Sequence, residues 1–204
     1  ALERDQVVVS GATRSGFGAP YDSIEALVVE DREWVDEGCT GDYVLAEATE
    51  DWFAQDDAGN VWYLGEDTTS WDDADDCLST GGAWEAGEDG AQAGVLIPGS
   101  PKVGQSYRQE YYEGEAEDRA KVLRLNVPVS IEFGDYDGCM KTKEDTPLEP
   151  GGIEHKFYCR LSEGGLGLML IEELHGKTKR VEYVGTTLPD GLPDDFPPGE
   201  QCLE

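Results

Sequence analysis

The amino-acid sequence predicts an all-β chain, a mostly antiparallel meander forming an open or half barrel, with at most one short helix. Three observations carry this. Apolar residues seldom recur at the i, i+3, i+4, i+7 spacing of an amphipathic helix. Gly (26 residues) and Pro (10 residues) punctuate the chain every few positions. Between them lie short runs rich in β-branched and aromatic residues, which suit a pleated, half-buried surface.

In chain order the runs are residues 6–10, 24–29, 43–48, 51–55, 61–65, 122–125, 129–133, 153–160, 168–174 and 180–184. Turn-forming clusters separate them: Asp57-Ala58-Gly59-Asn60, Pro147 through Gly152, Gly164-Gly165 and His175-Gly176-Lys177. Residues 114–120 are the one candidate helix. Residues 1–184 read as a single β domain. Residues 185–204, with Pro189, Pro193, Pro197 and Pro198, read as a tail laid over the surface or disordered.

Charge excludes several functions. The chain has 204 residues, enough for a real core, and sets 15 Lys+Arg against 45 Asp+Glu for a net −30. A nucleic-acid backbone binder must bring cations to phosphates, so no nucleic-acid partner is expected. The same balance disfavours docking on an anionic membrane. No membrane-spanning segment is expected either, since no run approaches the roughly 18–20 apolar residues of a spanning helix. The charge is uneven: residues 1–100 carry three Arg and 24 acids, and residues 101–204 carry 12 basic and 21 acidic residues. A salty medium or bound cations such as Ca²⁺ would relieve the repulsion, and a solvated acidic surface is the plainer account. The chain opens on Ala1 without a signal segment, which reads as a mature or trimmed start.

Five cysteines add a geometric argument. In a hairpin turning about position 58, facing residues have numbers adding to 116, and Cys39 and Cys77 satisfy this. In one turning about position 149 the total is 298, met by Cys139 and Cys159. Both pairs would face across antiparallel arms at disulfide distance. Disulfides persist in oxidising compartments, so the expected location is extracellular, cell-surface or periplasmic. Cys202 is left over.

The segments Glu50-Asp51-Trp52-Phe53-Ala54-Gln55-Asp56, Gly59-Asn60-Val61-Trp62-Tyr63-Leu64-Gly65-Glu66-Asp67, Tyr107-Arg108-Gln109-Glu110-Tyr111-Tyr112 and Gly114-Glu115-Ala116-Glu117-Asp118 resemble a group of uncharacterised exported bacterial β-rich proteins. These are often lipoprotein-like and of the "DWYAQD…GNVWYFGEDT…YRQEYY.GEAED" type. The resemblance implies export and a β-rich domain, and it implies no activity. The acidic insert at residues 72–77 and the Cys159-Arg160 segment depart from that pattern.

Candidate sites follow from the first hairpin. Its register puts Trp52 opposite Leu64 and Phe53 opposite Tyr63, so both faces are apolar, as in a strand pair covered on both sides. One face could instead line a ligand cavity with Trp52, Trp62 and Tyr63. Glu50 falls opposite Glu66, and Thr49 opposite Asp67. Facing like charges need compensation, from a hard cation such as Ca²⁺, from Arg108 or from a shared proton, unless a twist, bulge or register shift points one acid into water. In the cation reading Glu50, Glu66 and Asp67 are the metal candidates. Neither Asp72-Asp73-Ala74-Asp75-Asp76 nor Asp56–Asn60 fits an EF-hand. Arg108 beside Tyr111 can anchor a ligand's carboxylate or hydroxyls, or simply join an ion-pair network. His155 falls on the inner face with Ile153, Phe157 and Cys159, as a core histidine or a ligand contact. A metal role for it would have to enlist His175. No H-E-x-x-H, G-x-S-x-G, Walker A, G-x-G-x-x-G or C-x-x-C motif is present, and nothing marks a catalytic residue.

The functional expectation is an exported, non-catalytic binding protein, for a small or apolar ligand in the barrel mouth or for Ca²⁺ on the acidic face. The alternatives are a carboxylate-based hydrolase, recognisable by two converging carboxyls with perturbed pKa values, and a surface or filament subunit that self-associates through edge strands.

Overall fold

The structure, a computed structural model, describes residues 2–72, 74–161, 165–174, 179–185 and 191–202. Every regular element among them is a strand, and pairing is predominantly antiparallel. No helix occurs among the described residues. Both strand paths are open, so no barrel closes among them. Backbone contacts divide the chain into two compact units: Ala1–Gln55 with Trp62–Ala93 and Leu188–Glu204, and Asp56–Val61 with Gly94–Thr187.

The first unit is built on strands β1 (Leu2–Arg14), β2 (Ala26–Asp36), β3 (Val44–Gln55), β4 (Val61–Asp72), β5 (Cys77–Ser79) and β15 (Glu200–Gln201), paired in that order, with β6 (Trp84–Glu85) on β4. Alternation fixes the inner face: Ala26, Val28, Trp34 and Asp36 of β2 are buried, as is Leu45, which faces Trp34 across the ladder. Trp52, Leu64 and Trp84 complete this core. Gly65 lets β6 approach, since it has φ +138° and a Cβ there would overlap the Trp84 carbonyl.

The predicted hairpin register holds near its turn. The Asp56 N–H donates to the Asn60 carbonyl at 3.0 Å, and Phe53 stacks on Tyr63 with centroids 4.8 Å apart. Farther out the Thr49 and Thr68 hydroxyls share a hydrogen bond of 2.6 Å, which sets both side chains on one sheet face, as facing numbers totalling 117 do. The ladder has slipped by one residue. Glu50 therefore does not face Glu66. It faces Glu30 of β2, while Glu66 pairs with Trp84.

Two cysteine expectations separate here. Cys139 and Cys159 are bonded as predicted, but Cys39–Cys77 is not formed. Cys77 is bonded to Cys202, and Cys39 is a free, exposed thiol. The reason is local. The regular hairpin arms end at Val44 and Asp72. Beyond them the Asp36 carboxylate accepts the N–H groups of Thr40 and Gly41 and folds Cys39 into a turn of its own. The chain end instead lies parallel to β5, with Glu200 beside Cys77 and the Cys202 N–H donating to the Leu78 carbonyl. The Trp34 indole N–H donates to the Pro193 carbonyl at 2.7 Å. Residues 191–202 are thus tied to this unit.

The second unit holds a six-stranded sheet in the order β14-β13-β12-β11-β10-β8. These are β8 (Ser106–Arg108), β10 (Arg119–Ile131), β11 (Gly134–Asp145), β12 (Glu154–Arg160), β13 (Leu166–Glu173) and β14 (Lys179–Glu182). A short pair outside that sheet, β7 (Gln92–Ile97) and β9 (Glu110–Tyr111), also falls largely in this unit. The β11–β12 register follows the predicted total, with Met140 facing Tyr158 and Glu144 facing Glu154. The Cys139–Cys159 bridge sits inside a core of Val129, Ile131, Phe157, Met169 and Leu170. A second cluster joins Ile97, Val122, Met140 and Tyr158. Residues 114–120 are no helix. They form a tight turn closed between Tyr112 and Ala116 and then enter β10.

Candidate functional site

The aromatic candidates of the first hairpin are packing residues. Tyr63 is buried against Phe53 and edge-on to Trp84. Trp52 is 4% exposed, with the Arg14 guanidinium 3.9 Å above its ring and Phe17 at 6.0 Å. Arg14 is in turn ion-paired to Glu85. Trp52 still borders a cavity of about 650 Å³ with Ser10, Thr13, Glu30 and Glu50, but Arg14 occupies its face. Trp62 is half-buried on β4.

With facing numbers totalling 117, the slip separates Glu50 from Glu66 and sets Glu50 opposite Asp67 instead. Glu50 and Asp67 are exposed and Glu66 is half-buried against β6. Among the described residues, no group of three or more His, Cys, Asp or Glu side chains is arranged to hold a metal ion. His175 lies outside the described residues. The perturbed acids of this unit are others, on β2 and β3. Asp31 is pushed up to about 7 by burial first and then by Asp51, Asp5, Glu47 and Glu33. Asp51 is pushed up to about 6 by burial, against the lowering effect of a hydrogen bond from the Tyr63 hydroxyl.

His155 of β12 faces Glu172 of β13, with its Nδ1 3.7 Å from that carboxylate. Burial and then the nearby Lys141 hold its pKa below the ordinary histidine value. Tyr111 lies under the Arg108 guanidinium, 4.2 Å from ring centre. Arg108 lines a second groove, apart from the cavity bordered by Trp52 and Glu50.

That groove has a volume of about 560 Å³ and is bordered by Ser106, Tyr107, Arg108, Arg119, Lys121, Lys143 and Asp145. Side chains that face each other across a ladder share a sheet face. Arg119 pairs with Arg108 on one side and Asp145 on the other. Lys121 pairs with Ser106 and with Lys143, and Arg124 pairs with Lys141. Six of the chain's 15 basic residues therefore occupy one face of three adjacent strands, in a molecule of net charge −30. Cation faces cation at Arg108–Arg119, Lys121–Lys143 and Arg124–Lys141. Asp145 is the one acid at the groove. The Arg119 Nε donates to it at 2.6 Å, Lys143 also pairs with it, and both hold its carboxyl below the usual range. Lys141 is tied to Glu172 at 3.3 Å. Lys121 is exposed and has no ion-pair partner among the described residues.

Beneath this face lies a buried polar cluster that secures β8–β12. Glu144, 4% exposed, accepts hydrogen bonds from the Thr142 hydroxyl at 2.7 Å, the Tyr158 hydroxyl at 3.0 Å and the Gln109 amide at 3.2 Å. The Lys156 ammonium lies 3.3 Å from it and 3.2 Å from Glu154. Burial opposes the Lys156 charge, yet Glu144 and Glu154 together raise its pKa. The Tyr107 hydroxyl and Gln109 Oε1 are buried without hydrogen-bond partners among the described residues.

Sequence reasoning found Arg108 and missed its neighbours. A signal was present in the alternation Arg119-x-Lys121 and Lys141-x-Lys143, two period-two basic pairs that share a face once both segments are strands. Compared with known proteins, the chain matches no family model, and neither a curated protein nor a solved structure shows significant similarity to it.

Proposed function

We propose that this chain is an exported, non-catalytic binding protein whose ligand is a small molecule carrying a carboxylate or phosphate, held on the basic face of β8, β10 and β11. The observation that carries the reading is the facing of cation by cation in three successive pairs. Like charges opposed across a ladder are unfavourable by themselves, and an anion seated between them turns that repulsion into charge-assisted hydrogen bonds. Arg108 and Arg119 supply planar guanidinium forks, and Lys121 and Lys143 supply point charges. The long-range field of a −30 chain repels anions. The site therefore acts at short range, which favours a compact ligand over a polymer. Export is supported by the two disulfides and the oxidising compartment they imply.

The test is calorimetric titration of the full chain with orthophosphate and with citrate, using glycerol as the neutral control. Lys121→Glu is the variant of choice because Lys121 is exposed and has no ion-pair partner among the described residues. The reading expects saturable binding of at least one anion, none of glycerol, and a loss of about 10- to 100-fold in Lys121→Glu. Absence of binding to both anions, or an unchanged affinity in the variant, overturns it.

A second reading is favoured by Asp31 and Asp51, two neighbouring carboxyls titrating near neutrality, as a general acid requires. It makes the protein a carboxylate-based hydrolase. Turnover of chromogenic glycosides or esters that disappears in Asp31→Asn supports it, and activity unchanged in that variant removes it.

A further inference from the structure

We propose that the outer edge of β1 is a docking edge for a second copy of this chain, joined by antiparallel pairing of the two β1 strands about a two-fold axis at Val8. β1 ends the strand order of the first unit and, among the described residues, pairs with β2 alone. Its outer N–H and C=O groups thus form a template for another strand. Protected edges carry Lys, Pro or covering loops. This one instead presents Val7, Val8 and Val9, exposed by 63%, 39% and 64%. The only irregularity in its pairing with β2 lies between Val9 and Thr13, after the valine run.

The occupant and the register follow from self-complementarity. A two-fold axis normal to the sheet keeps each face of one copy continuous with the same face of the other, so facing residues must have the same parity. Three registers centre on a valine. With Val7 on the axis, Asp5 falls opposite Val9. With Val9 on the axis, Val8 falls opposite Ser10, where the irregular stretch begins. With Val8 on the axis, Val7 of each copy meets Val9 of the other, Gln6 meets Ser10, Asp5 meets Gly11, and no charge opposes its like. The third register alone gathers all six valines. The pairing from Gln6 to Ser10 spans about 17 Å, small beside the interfaces of permanent dimers, so the association depends on concentration. Both partners carry −30, so salt strengthens it by screening their repulsion.

Sedimentation equilibrium of the full chain, from about 5 to 300 µM at ionic strengths of about 0.1 and 1 M, provides the test. The weight-average mass should rise from 22.3 kDa toward twice that value, and rise further at high salt. Val8→Lys should stay monomeric throughout, with unchanged tryptophan fluorescence showing that the first unit is folded. In a Cys39→Ser background, Val8→Cys should form a disulfide dimer by itself. Val7→Cys and Val9→Cys should cross-link with each other faster than either does with itself. A monomer under all conditions overturns the proposal, as does an association that Val8→Lys leaves intact. Preferential Val7–Val7 cross-linking overturns the register.

Discussion

The raised carboxyls of the first unit make its stability depend on pH in the direction opposite to ordinary acid denaturation. Asp31 faces Val7 on one side and Thr49 on the other, with Asp51, Asp5, Glu47 and Glu33 acting on it. Its ordinary pKa is 3.8, and in the fold it stands at about 7. The folded state thus binds more protons than the unfolded state between about pH 4 and 7, and stability falls as pH rises through that window. Titration near 7 instead of 3.8 costs the folded state up to about 4 kcal/mol at pH 8. Asp51, at about 6, is a close neighbour and shares the same protons, so the two costs do not add. The expected gain from pH 8 to pH 5 is about 1–3 kcal/mol. All five tryptophans, Trp34, Trp52, Trp62, Trp71 and Trp84, lie in the first unit, so urea unfolding followed by tryptophan fluorescence reads this effect. His155 acts in the opposite sense, since its lowered pKa makes stability rise with pH, but it lies in the second unit. Measured at about 0.5 M NaCl to screen the exposed charges, the urea midpoint should be higher at pH 5, and Asp31→Asn should flatten the difference. A midpoint that is equal at both pH values, or higher at pH 8, would refute the reasoning.

The other expectations concern the second unit, the chain end and cations. Glu144→Ala leaves the Lys156 ammonium short of a partner, orphans the Tyr158 hydroxyl and leaves the Thr142 hydroxyl only the Lys156 carbonyl; it should cost about 3–5 kcal/mol by far-UV circular dichroism. Adding Lys156→Met should recover a good part of that loss. Under denaturing, non-reducing conditions a thiol reagent should label one cysteine, Cys39, and Cys39→Ser should abolish the label. Cys202→Ser opens a bridge spanning 125 residues and should cost about 2–5 kcal/mol, read by tryptophan fluorescence. Millimolar Ca²⁺ should raise the melting temperature no more than NaCl of equal ionic strength; an excess from Ca²⁺ would direct mutagenesis to Glu50, Glu66 and Asp67.

Strand content was legible because alternation and turn chemistry act locally. Phe53 against Tyr63 and Cys139 against Cys159 followed from one number each, the centre of a hairpin. The reading failed where a non-local contact decided the outcome. Gly65 admits β6 onto β4, the outer ladder is slipped by one residue, and the Glu50–Glu66 pairing inferred by extending the inner register is lost. Cys77 found Cys202 through a parallel strand contributed by the chain end, which no hairpin argument contains. β11 begins Gly134-Asp135-Tyr136-Asp137-Gly138, polar and glycine-rich, and reads as loop by propensity. It is held as a strand by pairing with β10, and the continuation of the same strand, Lys141–Asp145, supplies the partners of the basic residues of β10. That is why Arg108 was visible from sequence while the face around it was not.

The anion-binding account rests on one surface, and amide chemical-shift mapping tests it most directly. A ¹⁵N-labelled full chain is titrated with orthophosphate, and with chloride at matched ionic strength. The account predicts saturable shifts centred on Ser106–Arg108, residues 119–124 and residues 141–145, and their loss in Lys121→Glu. Shifts that appear elsewhere, such as around Arg14 and Trp52, would contradict it, as would shifts that chloride reproduces in full.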